Sequence, residues 1–542
     1  MKRQQPKKHV VRRGPARRDF LKMAGGCAAL TNTSLWSTIF NLSATNSVMA
    51  GNIGGINDYK AIVCLFQFGG NDSFNMLSPL EADQRADYEL ARGGVYDGSN
   101  GALGLPIPED VTPHQITDPG TGYKYMVHPA MPEMKTLYDQ GDLGFIANIG
   151  SLVEPTTMAQ FQQASNLPLG LFSHADLQRH WMTSVPNTRS QVTGWAGRMA
   201  DCMTDSANQN DAISMNIALN NVNLWQTGGG VIPYIVTSEG ASEVGWYGQT
   251  WTEARIFTQM TDDALNRSYS NLFVDTFARS NRNALDAAIE YNAATTGVTL
   301  ATTFPDEDLA NQLKMVAQTI AARDTLTQKR QIFFVSQGGY DNHDELINNQ
   351  TGTLGAVSRA LKAFYDSLVE MNVQDNVLTF TASDFARTLN SNGQGSDHAW
   401  GGNHIVMGGA VDGGKVHGTY PTSLAPGNEL DLGRGRLLPT TSVDEMAAEM
   451  AMWYGIPNDN TLTQVLPNAG NFPNIAASNR PIGFITHRSR GSAHLSLRCA
   501  PFKTWVSPGC HLLSVRRHWE LSVRRTSGSA SSSLRNAVAH PQ

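Results

Sequence analysis

Ala61 to Asn75 reads AIVCLFQFGGNDSFN: an apolar, β-rich run that breaks at Gly69-Gly70 and delivers Asn71, Asp72 and Ser73 to its C-terminal end. Gln331 to Leu346, QIFFVSQGGYDNHDEL, repeats that grammar: Ile332 to Val335 breaks at Gly338-Gly339 and delivers Asp341, His343, Asp344 and Glu345. A third apolar run, Val377 to Phe380, opens onto Thr381 to Tyr420, TASDFARTLNSNGQGSDHAWGGNHIVMGGAVDGGKVHGTY. Short apolar runs bounded by glycine read as buried strands. In an open α/β sheet the carboxyl ends of the strands are where ligands bind, so three strands ending in acids and histidines place a site at one sheet edge.

The third stretch gathers Asp384, Asp397, Asp412, His398, His404 and His417 among glycines. Carboxylates and imidazoles are the ligands of zinc, manganese and iron, and calcium joins that set where carbonyls contribute. Asp341 and His343 flank a single residue on a glycine-preceded loop, which suits a metal. Asp72 is also placed to cap a turn, and Asp384 to cap a helix running through Leu389. Asp412, before Gly413-Gly414, reads as a turn residue, and His417 as structural.

Arg17-Arg18-Asp19-Phe20-Leu21-Lys22, with basic residues before it, apolar ones after it and Val48-Met49-Ala50 closing it, is a twin-arginine export pattern over residues 1–50. That route carries folded proteins and implies a periplasmic or secreted chain. No later stretch approaches the roughly 18 consecutive apolar residues of a spanning helix, so the mature chain should carry no transmembrane segment. A lipid on Cys27 is disfavoured because Ala24 stands where a large aliphatic residue is usual. The formal net charge of -6 gives no sign of nucleic acid. The five cysteines form neither a CxxC pair nor a disulfide framework, so thiol ligation is not expected.

Between the site segments, helical periodicity is expected over 175–182, 194–203, 264–291, 309–322 and 354–371, and strands over 143–149 and 212–218. Leu80 to Tyr125 lacks periodicity and reads as a long loop. Ser442 and Glu445 form a capping box that opens a helix to Tyr454. The α/β domain is therefore expected over residues 51–484, with loop and helical insertions. From Gly483 to Gln542 there are nine Lys and Arg against one acid, and Leu-Ser-Val-Arg-Arg occurs at both 513–517 and 521–525. Residues 485–542 read as sequence out of frame past the natural end, or else as a basic interaction tail.

The chain resembles, from Ala61 to about Phe484, the twin-arginine-exported bacterial family called domain of unknown function 1501. The resemblance rests on Gly69-Gly70-Asn71-Asp72, His128-Pro129, Phe172-Ser173-His174 and Gly194-Trp195-Ala196-Gly197-Arg198. It continues through Gly339-Tyr340-Asp341-Asn342-His343, Ser383-Asp384-Phe385-Ala386-Arg387-Thr388, and Asp397-His398-Ala399-Trp400-Gly401-Gly402-Asn403-His404. The family usually has Trp at Tyr340, Thr at Asn342, Glu at Asp384, and Gly at Ala386 and Ala399.

That family is grouped with the alkaline phosphatase and sulfatase superfamily, which implies a mostly parallel central sheet flanked by helices and one or two divalent metal ions. By order of occurrence, the resemblance implies Asp72, Asp341, His343, Asp384 and His398 as metal ligands, with Asp397 and His404 ligating or supporting them. It implies Arg387 as a bidentate grip on phosphate or sulfate. Ser173, beside His174 at an expected helix N-terminus, is the implied nucleophile, and Ser73 the second choice. The expected function is an exported metal-dependent hydrolase acting on a small anionic phosphate or sulfate ester. The alternative is a non-catalytic exported scaffold that keeps the fold and serves a protein partner.

Overall fold

A computed structural model of the chain describes residue 53 and residues 56–486 apart from 209, 211 and 220. The expected export signal over 1–50, and residues 487–542 of the expected tail, lie outside the described residues. Residues 485 and 486 do not: Ile485 is buried and its N–H donates to Glu449 Oε1 at 2.8 Å, so the folded chain runs past residue 484.

In chain order the strands are β1 (Lys60–Gln67), β2 (Leu77–Pro79), β3 (Gln115–Thr117), β4 (Lys124–Val127), β5 (Leu143–Gly150), β6 (Asn216–Leu219), β7 (Tyr234–Val236), β8 (Arg330–Gln337), β9 (Val377–Ser383), β10 (Gly402–Met407), β11 (Val416–Gly418) and β12 (Thr441–Ser442). Nine of them form one sheet in the order β11-β5-β10-β9-β1-β8-β6-β7, with β12 also on β5. All pairings are parallel except those of β10, which runs antiparallel to β5 and β9. The fold is thus α/β with a mostly parallel sheet, as expected. The register aligns Gln67 with both Gln337 and Ser383, which brings the ends of β1, β8 and β9 level.

Alternation along β1 sends side chains to two cores, because successive strand residues face opposite sides of a sheet. Ala61, Val63 and Leu65 join the helices Asp308–Ala321 and Leu346–Glu370, while Ile62, Cys64 and Phe66 join Trp195–Ala207 and Val443–Tyr454. Both faces are covered, which explains why these strands read as unbroken apolar runs. The Ser442 and Glu445 capping box forms as expected.

Two expectations are corrected here. Residues 80–125 are not a long loop: they hold the helix Ala82–Ala91 and strands β3 and β4, with β2 completing a small antiparallel sheet. The buried face of that helix is Gln84, Arg85, Tyr88 and Ala91, so polar and aromatic anchors hide the apolar period. No helix follows Asp384; the chain instead bridges Arg387 to His398.

The Gly69-Gly70 turn is enforced by contact as well as by conformation. Gly69 has φ 120°, and a Cβ there would lie 2.4 Å from Asp341 N; one on Gly70 would lie 2.3 Å from the Phe385 ring. A Cβ on Gly338 would meet nothing within 4 Å. Gly69→Ala is therefore expected to destabilise by roughly 2 kcal/mol or more in urea unfolding, whereas Gly338→Ala stays within about 0.5 kcal/mol of the native chain. Equal losses in the two variants would contradict the close approach of these loops.

Candidate metal centre

Three loop ends and one helix start build the site. The turn after β8 supplies Asp341 and His343, the segment after β9 supplies Asp384 and Arg387, the returning chain supplies Asp397 and His398, and the helix His174–Thr183 begins with His174. The ligand atoms of His174, Asp341 and His398 all lie within 4.8 Å of one another. His398 Nε2 stands 3.1 Å from His174 Nε2 and 3.0 Å from His343 Nε2. Asp341 Oδ1 is 3.1 Å from His343 Nε2 and 3.5 Å from His398 Nε2, and its Oδ2 is 3.5 Å from His174 Nε2.

The opposite nitrogen of each ring fixes its tautomer. His174 Nδ1 faces Asp384 Oδ2 at 2.6 Å, His343 Nδ1 faces Asp397 Oδ1 at 3.1 Å, and His398 Nδ1 faces the Phe172 carbonyl at 2.8 Å. Each partner accepts, which favours Nδ1 as the protonated nitrogen of a neutral ring and leaves Nε2 to ligate. Nitrogens this close are held together by a shared proton or by a cation among them. Tetrahedral bonds of about 2.0 Å to nitrogen or oxygen imply ligand separations of about 3.3 Å. The 3.1 to 3.5 Å among His174, His398 and Asp341 bracket that value, and His343 stands beside this set rather than within it. Asp384 Oδ1 is buried with no hydrogen-bond partner, a further donor suited to a cation or water. The donor set fits a small divalent metal.

The surroundings keep the acids ionised and the imidazole neutral. Burial acts to raise the Asp341 carboxyl, but Arg387, His174 and His343 outweigh it and hold the group below the usual carboxylate range. Burial likewise opposes His343, Asn392 and Arg434 at Asp397, which also ends lowered. Burial, chiefly, keeps His398 below the usual imidazole range against the pull of the Phe172 carbonyl.

Not every expected residue meets here. Asp341 and His398 lie together with His174, expected as a catalytic neighbour of the nucleophile, and His343 stands beside His398. Asp384 and Asp397 stand behind imidazoles rather than among the converging nitrogens. Asp72 is corrected: both its oxygens bind Arg92, at 2.5 and 2.7 Å, and it caps the short helix Ser73–Met76. His404 is corrected too, being buried on β10 with Nδ1 near Thr381 Oγ1 at 3.3 Å and its ring against Trp181. Arg387 cannot grip a substrate, because it is buried and its N–H groups go to Gly69 O, Tyr340 O, Asp341 and Ser396. Ser73 Oγ is buried and accepts the Asn403 N–H at 2.8 Å, and the Ser173 hydroxyl lies beside Asp176 on its own helix.

Sequence reasoning missed Gln178, which donates to Asp384 Oδ2 at 3.0 Å from one turn along the helix that begins at His174. It also missed Arg434 and Arg436. Arg434 pairs with Asp397, and Arg436 donates from Nε to the His398 carbonyl at 3.1 Å. The Gly433-Arg434-Gly435-Arg436 run was the available signal.

Two outcomes follow from this geometry. Asp384→Asn leaves a side chain of equal size that no longer holds the His174 Nδ1 proton as a carboxylate, and should weaken metal binding roughly 10- to 100-fold in a chelator competition. Burial lowers His404 to about 3, so below pH 6.5 the unfolded chain takes up a proton that the folded chain refuses. Stability therefore falls as pH drops from 6.5 towards 3, and this histidine contributes about 2 kcal/mol of that loss at pH 5. His404→Gln should unfold with one proton fewer taken up between pH 6 and 4, and an unchanged slope would return His404 to the list of ionised or ligating groups.

The family of proteins of unknown function DUF1501 matches residues 59–466. No curated protein matches the chain. Among solved structures, the C-terminal periplasmic domain of EcEptC from Escherichia coli is 8% identical, with 78% of this chain and 90% of that one covered and a TM-score of 0.32. The PsFucS1 sulfatase from Pseudoalteromonas sp. is 10% identical, covering 77% and 70%, with a TM-score of 0.28. A protein in the alkaline phosphatase superfamily from Vibrio parahaemolyticus is 9% identical, covering 78% and 75%, with a TM-score of 0.26. Scores this low carry no functional weight. The match over residues 59–466, which takes in every residue of the metal centre, shows that the chain belongs to the DUF1501 family.

Proposed function

We propose that the protein is an exported metal-dependent hydrolase of phosphate or sulfate esters, with the metal held by His174, His398 and Asp341 and with His343 beside them. The observation that carries this reading is the gathering of ligand atoms of His174, His398 and Asp341 within 4.8 Å of one another, with an acceptor facing Nδ1 of each ring. Imidazole nitrogens with a carboxylate favour zinc over manganese or iron, and disfavour calcium, which takes oxygen. A divalent ion there would act as a Lewis acid on a phosphoryl or sulfuryl oxygen and draw an anionic group to the site.

The protein's own part is to hold the ligands. Asp384 and Asp397 keep protons on Nδ1, Arg387 fixes the Asp341 carboxylate, and Phe385 packs against both His174 and His398 with ring centroids at 4.8 and 4.6 Å. Among the described residues no hydrogen bond joins Ser173 or Ser73 to these four residues, so the attacking group in this reading is water. Export rests on the twin-arginine pattern at Arg17-Arg18. Among the described residues no helix is long and apolar enough to cross a membrane.

The lack of a serine held against the ligands also favours a second reading, an exported scaffold that keeps the metal without turnover and serves a protein partner. Elemental analysis by mass spectrometry, beside assays of aryl phosphate and aryl sulfate hydrolysis, separates the two. The hydrolase reading expects about one metal per chain, ester hydrolysis retained in Ser173→Ala, and loss of both metal and hydrolysis in Asp341→Ala/His398→Ala. Metal without turnover on either ester supports the scaffold, and absence of metal at neutral pH overturns the hydrolase reading and leaves a scaffold without metal.

A further inference from the structure

Each carboxylate that touches a histidine of the centre has a partner. Asp341 is bound by Arg387, Asp397 by Arg434, and Asp384 by the His174 ring. Arg436 has no carboxylate within ion-pair distance among the described residues. Its one hydrogen bond there runs from Nε to the carbonyl of His398, itself a metal-ligand candidate, which leaves both Nη groups uncommitted. The guanidinium is half-buried and stacks on the Phe172 ring at 4.6 Å, and the carbonyl of that same Phe172 holds His398 Nδ1. Arg436 is therefore fixed by two contacts to the scaffold of one ligand, without using the fork that binds oxyanions.

The loop that carries it is built to stay in place. Asp431 Oδ1 accepts the N–H groups of Gly433 and Gly435 at 2.8 and 2.9 Å, and Oδ2 accepts that of Gly427 at 2.8 Å. Gly435 packs so closely on Leu389 that a Cβ would lie 2.6 Å from its side chain, and its carbonyl accepts the Leu389 N–H at 3.0 Å. Between the two glycines, Arg434 adopts φ 66°, a conformation that non-glycine residues hold only when their surroundings impose it. Asp341, Asp384 and Asp397 formally balance Arg387, Arg434 and Arg436, so a divalent ion would leave this group of side chains net positive.

We propose that Arg436 is the oxyanion grip of the metal centre, presenting its two Nη groups to the non-bridging oxygens of a phosphate or sulfate group. Arg434 adds charge at the rim. This rests on the ester reading above and gives to Arg436 the role that the buried Arg387 cannot fill.

The test is calorimetric titration of inorganic phosphate, and separately of inorganic sulfate, into the full zinc-loaded protein and its Arg436→Gln and Arg436→Lys variants, with zinc content measured in each. The expected result is binding to the native protein, weakened roughly ten-fold or more in Arg436→Gln at unchanged zinc content. Arg436→Lys should recover part of the loss, since it keeps the charge and lacks the fork. Equal affinity in native protein and Arg436→Gln would overturn the grip while leaving the ester reading standing. If neither anion binds the native protein, the ester reading fails and the grip with it. Loss of zinc in Arg436→Gln with no loss in Arg436→Lys would make the residue a support for His398, and would also overturn the proposal.

Discussion

Three imidazole nitrogens held 3.0 to 3.1 Å apart along the chain His174, His398, His343 are the constraint on which the site depends. A cation among them would satisfy all three. Each Nδ1 faces an acceptor, which leaves Nε2 as the ligating atom, and burial works against a charged His398. Rotating the rings would break those Nδ1 bonds. Much of the surrounding structure holds these side chains in place, so a metal bound there would couple its affinity to the stability of the loops.

Arg387 is central to that restraint, and its role is structural. From one buried guanidinium it binds the carbonyl of Gly69 after β1, the carbonyl of Tyr340 after β8, the carboxylate of Asp341, and Ser396 on the returning chain. The ends of neighbouring strands are thereby tied to one planar group, and Asp341 is oriented in the process. The Asp72 and Arg92 pair does similar work lower down, joining the first turn to the end of the helix Ala82–Ala91. Glycine makes both arrangements possible, because Gly69 and Gly70 lie in contact with the Asp341 backbone and the Phe385 ring.

The strands that carry the site were legible because a doubly covered parallel sheet writes itself as continuous apolar runs, and the turns after β1 and β8 are marked by paired glycines. Asp341, His343 and His398 were legible for the same reason, lying on those turns or on the return from them. The helix Ala82–Ala91 was not, since its buried face is anchored by Arg85 and Tyr88. Nor was the division of labour among acids: Asp72, Asp384 and Asp397 look alike as acids just past a strand or in a loop, yet one neutralises an arginine and two orient imidazoles.

By itself the sequence determined the sheet, the edge at which chemistry gathers, and the residue types able to bind a metal, because periodicity and turn chemistry are local properties. Only the tertiary structure decided which nitrogen of each histidine is left to ligate, that Asp72 and His404 turn away, and which arginine keeps its fork uncommitted. Those outcomes depend on partners hundreds of residues distant in the chain, such as Asp384 for His174 and Phe172 for His398. A hydrogen bond of that kind exists only once packing has fixed both ends, and no local pattern records it.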